Sequence, residues 1–107
     1  MSVFFSVQAE SDLEGIADYV AADSPARALS FVSEIRKHCN KIERAPRAYR
    51  LRPELGAAIR GCTHGNYLIL FATFDGYILI VRVLHGARDL RNALGDESQE
   101  GEDPEIE

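Results

Sequence analysis

An α+β fold, in which a helix hairpin lies on one face of a mainly antiparallel sheet, is what the sequence predicts. Three observations carry it. Two consecutive segments keep the apolar spacing of helices and are joined by a short Asp-Ser-Pro link. Three consecutive apolar segments follow, rich in β-branched and aromatic residues and separated by glycine-bearing turns. A short apolar stretch, Val3 to Val7, precedes both sets and reads as an N-terminal strand.

In the first helical segment, Leu13, Ile16, Ala17 and Val20 fall at i, i+3, i+4 and i+7 and so form one apolar stripe. Glu10, Glu14 and Asp18 line another face, which reads as solvated. Ser24 then suits an N-cap and Pro25 the first helical position, where a missing N–H costs nothing. Ala28, Phe31, Val32, Ile35, Cys39 and Ile42 carry a second helix to about Arg44, and Ala45-Pro46 stops it. Strands are expected over Ala58 to Thr63, Tyr67 to Phe74 and Tyr77 to Leu84. Asp75-Gly76 is a two-residue hairpin signal, so the three make an antiparallel meander. Tyr77 to Leu84 is nearly all apolar and reads as covered on both faces, with Arg82 its one charged interruption. Arg88 to Leu94 adds a final helical turn.

With 107 residues, 46% of them hydrophobic and 27% charged, the chain is expected to be one ordinary globular domain. No apolar run approaches the roughly 18 to 20 residues of a membrane span, and no secretory leader precedes Val3, so the cytosol is the expected compartment. Cys39 and Cys62 show neither CxxC spacing nor a Cys/His metal pattern. They read as small buried hydrophobes, and no metal or cofactor is implied. The net charge of −5 is unevenly spread. Residues 95–107 hold seven acids and no base, a −7 segment that reads as a disordered tail, which leaves residues 1–94 at +2.

The end of the last strand is where chemistry gathers, because Val81 to Leu90 delivers Arg82, His85, Gly86 and Arg88 there. Arg82 and Arg88 either pair with Asp89 or the chain end, or meet a partner. His85 either fixes the turn through a ring-to-backbone bond beside Gly86 or exchanges protons near neutral pH. Arg60, in the neighbouring segment, could share a sheet surface with Arg82. A second basic patch is expected from Arg47, Arg50 and Arg52, which with Arg44 crowd into nine residues around Tyr49.

The ending Arg82-Val83-Leu84-His85-Gly86-Ala87-Arg88-Asp89-Leu90 resembles the last strand of the ParE toxins, of the RelE/ParE superfamily. Ala9 to Val20 resembles that family's first helix, Pro25 to Ile42 its second, and Arg52-Pro53-Glu54-Leu55-Gly56 with Ile59-Arg60 the entry to its sheet. The matches run in the family's order over roughly residues 3–94. The resemblance implies a RelE/ParE-like domain over 1–94, belonging to a toxin of a type II toxin-antitoxin module. It further implies that the toxin binds DNA gyrase and its bound DNA, blocks replication without catalysis, and is neutralised by a ParD-type antitoxin in a hetero-oligomer. Arg60, Arg82, His85 and Arg88 are then the candidates for the target surface. Tyr19, Phe31 and Ile35, with Arg47, Arg50 and Arg52, are those for the antitoxin. The superfamily's RelE branch, ribosome-dependent messenger RNA endonucleases, is the alternative. His85 and the arginines could serve such chemistry, but the chain lacks the basic and aromatic residues near its C-terminus on which those nucleases rely. The acidic tail could also fold back on the Arg-rich surface and compete with a partner.

Overall fold

The chain begins as β1 (Ser2–Phe5), and Ser6 turns it into a helix. Extended backbone at Ser6 lets its hydroxyl accept from the Ala9 N–H, so α1 (Val7–Ala21) starts two residues before the expected point. The strand therefore ends at Phe5 and not Val7, and Val7 is a solvent-exposed helical residue. Ser24 caps α2 (Pro25–Ile42) by accepting from the Arg27 N–H, with Pro25 at the first position. The computed structural model describes residues 2–91. The acidic tail, and the part of the expected last helix beyond Arg91, lie outside the described residues.

The sheet contains β1, β2 (Arg50–Leu51), β3 (Arg60–His64), β4 (Tyr67–Phe74) and β5 (Tyr77–His85) in the order β1-β5-β4-β3-β2. All neighbours are antiparallel except β1 and β5. The meander is as expected, with Gly65 and Gly76 supplying the positive φ its two tight turns require. β2 was not expected, since its two residues lie within a stretch that reads as a charged loop. A six-residue α3 (Gly86–Arg91) follows β5.

Both helices cover one face of the sheet. Ala9, Leu13 and Ile16 from α1 and Ile35, Cys39 and Ile42 from α2 bury themselves against Ile69, Phe71, Ile78, Ile80 and Val83. At β4 the register shifts: Leu70 pairs with Arg82 but Phe71 with Ile80, which makes Val81 an extra residue. That bulge puts Ile80 and Val83, three apart, on the same core face. Among the described residues the other face carries a small cluster of Leu68, Leu70 and Leu84 under Leu55 and Ile59. The expectation that β5 is covered on both faces is thus corrected, because its alternate residues Tyr77, Leu79 and Val81 are only partly buried.

Candidate functional site

β1 accompanies β5 only as far as Ile80, where Ser6 leaves the sheet. Beyond that point the flank of β5 facing away from β4 has no strand beside it among the described residues, and its backbone groups need other partners. Side chains supply them. The Ser6 hydroxyl donates to the Val81 carbonyl at 2.7 Å, the Val83 N–H donates to Asp12 Oδ2 at 2.9 Å, and the His85 N–H donates to Asp89 Oδ2 at 2.8 Å. Two carboxylates, one from α1 and one from α3, thereby replace the missing strand.

Each carboxylate also holds an arginine. Arg82 donates from Nε and Nη2 to the two oxygens of Asp12 at 2.8 and 3.0 Å, and Arg88 Nε donates to Asp89 at 3.0 Å. Asp12 is the better shielded, with 15% of its side chain exposed against 42% for Arg82. Burial pushes the Asp89 carboxyl up, but the Arg88 guanidinium and the His85 N–H outweigh it and hold the group below the usual carboxylate range. His85 Nδ1 accepts from the Arg88 N–H at 3.2 Å, which ties the ring to the first turn of α3 and leaves Nε2 to carry the proton of the neutral ring. Gly86 donates to the Asn66 carbonyl at 2.8 Å and locks the strand end to the β3–β4 turn.

Two hollows flank this strand end and share Tyr19 and Tyr67. One, of about 310 Å³, lies between α1 and α3, with Asp12, Gly15, Arg88 and Asp89 in its wall. The other, of about 280 Å³, is walled by Arg27, Phe31, Asn66 and His85. Tyr67 meets His85 edge to face at 5.3 Å between ring centres, Arg27 lies 5.1 Å over Phe31, and Arg88 lies 6.0 Å over Tyr19. The surface is mixed, cationic and aromatic, and its parts are fixed by internal bonds. Among the described residues no group of three His, Cys, Asp or Glu side chains is placed to hold a metal ion, and no helix is long and apolar enough to cross a membrane.

The structure brings His85, Arg88, Tyr19 and Phe31 together around the two hollows, with Arg82 beside them at the strand edge through Asp12, and separates the other candidates. Arg60 pairs with Phe71 on the helix-covered face and donates to the Tyr49 carbonyl at 2.7 Å, whereas Arg82 lies opposite Leu70, on the other face. The two do not share a surface. Ile35 is wholly buried, so its place on an antitoxin surface is withdrawn. Of the expected second patch, Arg47 borders a hollow at the β4–β5 turn, while Arg50 and Arg52 border another beside β3. Among the described residues Arg82 pairs not with Asp89 but with Asp12, 70 residues away, and the chain end lies outside those residues. Asp12, Arg27 and Tyr67 were not singled out in the sequence. Asp12 sits beside an apolar stripe with no local signal, and only the course of β1 into α1 brings it to β5.

A family model described as "ParE toxin of type II toxin-antitoxin system, parDE" matches residues 3–90. Among solved structures, one titled "Chromosomal ParDE TA system from P. aeruginosa" is similar at a TM-score of 0.69 and 25% sequence identity, over 79% of this chain and 95% of that one. No curated protein matches.

Proposed function

From a chain that belongs to the ParE toxin family of type II toxin-antitoxin systems, we propose a toxin that acts by binding DNA gyrase on its DNA in the cytoplasm, and so blocks replication. The observation that carries the binding reading is the strand end itself. Arg82 is taken up by Asp12, Arg88 by Asp89 and His85 Nδ1 by the backbone of α3, so the cations and rings form a preorganised surface rather than converging on one reacting atom. No catalysis by this chain is required. Tyr19, 68% exposed, with Arg88 and Arg27 offers the kind of aromatic and guanidinium anchors that dominate protein interfaces.

The partner that restrains it is an antitoxin of the ParD kind, as the ParDE system of the similar structure suggests. The helix pair offers such a segment Tyr19, half-buried Phe31 and the 79% exposed Leu29. The test is supercoiling by purified gyrase, with the DNA denatured afterwards to reveal protein-linked breaks as this protein is titrated in. Loss of supercoiling with accumulating breaks, relieved by the antitoxin and weakened about tenfold or more by Tyr19→Ala with Arg88→Ala, is expected. Unimpaired supercoiling at micromolar folded toxin, with ribosome-dependent cleavage of messenger RNA instead, would overturn the reading.

A further inference from the structure

A second constellation lies at the opposite edge of the sheet. β2 pairs only with Arg60 and Gly61, so β3 becomes an edge from Cys62 onward, and a hollow of about 460 Å³ opens beside it. His38, Tyr49, Arg50, Arg52, Cys62 and Thr63 line this hollow, and Arg52 Nε is paired with Glu54 at 2.7 Å. Cys62 Sγ lies 3.2 Å from His38 Nε2, and His38 Nδ1 lies 2.8 Å from His64 Nδ1.

This is a nucleophile, a base within hydrogen-bond reach of it, and a third group that orients the base. A neutral imidazole carries one N–H. When His38 donates from Nδ1 to His64, its Nε2 is bare and faces the thiol as an acceptor. Burial, then His64 and Lys41, push His38 below its usual range, so the ring is a free base at neutral pH. Burial also pushes the Cys62 thiol up, while the Tyr49 hydroxyl favours its ionised form. The thiol is therefore protonated at rest and needs His38 to react. Cys62 is itself only 5% exposed but forms part of the wall of the hollow, whereas Cys39 is wholly buried in the core and pushed up to about 12.

We propose that Cys62 is a modification site, a base-assisted thiol that forms a mixed disulfide with small anionic disulfides drawn in by Arg50, beside the ion-paired Arg52. The size of the hollow fits a small ligand. In the step, the Cys62 S–H proton passes to His38 Nε2 and the thiolate attacks one sulfur of the incoming disulfide. A new S–S bond forms as the old one breaks, and the leaving thiolate carries off the electron pair and takes up a proton.

Dithiobis(nitrobenzoate), a dianionic aromatic disulfide that releases a coloured thiolate, is the probe. The folded chain is expected to release one equivalent rapidly, lost in Cys62→Ser and kept in Cys39→Ser, with the second appearing only on unfolding in urea. His38→Gln should slow that equivalent about tenfold or more. Arg50→Glu, at an exposed position that leaves folding intact, should slow this reagent but not neutral dithiodipyridine. Reaction only at the rate of global unfolding, or a rapid equivalent that survives in Cys62→Ser, would overturn the proposal. So would an Arg50→Glu effect equal for both reagents.

Discussion

Asp12 accepts three hydrogen bonds while largely shielded, two from the Arg82 guanidinium and one from the buried Val83 N–H. Removing the carboxylate strands them, and an unsatisfied buried donor beside an unpaired cation is costly. Asp12→Ala is expected to destabilise the chain by about 2–3 kcal/mol and Arg82→Ala by about 1 kcal/mol in urea unfolding. A loss below about 0.5 kcal/mol for Asp12→Ala would place it with ordinary surface changes. Strain of another kind sits at Ala58, whose φ of +64° lies in the left-handed region. Ala58→Gly should raise stability by about 0.5–1 kcal/mol, and a lowered melting temperature would show that the conformation carries no cost.

Two serines begin the two long helices, but only one ties its helix to the sheet. Ser24 caps α2 at an exposed junction, whereas Ser6 caps α1 and also donates to the Val81 carbonyl beside the bulge. Ser6→Ala should therefore cost about 2 kcal/mol and Ser24→Ala about 1 kcal/mol; equal losses would mean that the bond to β5 adds nothing. The contact of α2 with β3 is pH-sensitive through His38, which faces His64 and Cys62 from β3 and Lys41 from its own helix. Since folding lowers its pKa, the unfolded chain binds the proton more readily. This contribution is present above the unfolded value of about 6.5 and is lost as pH falls from there through the folded value. Urea midpoints should decline from about pH 7.5 to 5.5, before carboxylates titrate, and His38→Gln should flatten the slope. An unchanged slope would exclude His38 as its source.

The family match spans residues 3–90 and the core among the described residues runs from Ala9 to Leu84, so residues 1–94 are expected to fold without the acidic tail. Deleting residues 95–107 changes the net charge from −5 to +2. The melting temperature is expected to stay within a few degrees, and a large fall would show that the tail packs on the domain. Partner affinity should depend on salt more steeply after deletion if the tail competes for the basic surface, and identical salt profiles would rule that competition out. At this scale the cationic-aromatic strand end and the thiol hollow occupy opposite flanks of the sheet, one closed by side chains and the other open.

The helices, the meander and the helix-covered face were legible because apolar period and turn chemistry are local. Leu13 to Val20, Ser24-Pro25 and Asp75-Gly76 fix their elements whatever lies far away. So was the strand end carrying Arg82, His85 and Arg88. What those residues touch was not legible, since Asp12 meets Arg82 across 70 residues and nothing near either encodes the pairing. The bulge at Val81 likewise decides which residues of β5 face the core, and one inserted residue reverses every later side chain. β2, too short for any pattern, exists only because β3 offers it an edge, and where it ends β3 opens the hollow beside Cys62. Sequence determined the elements and the residues brought to their ends. Tertiary structure alone decided their partners, because register and strand order are properties of contacts between distant segments.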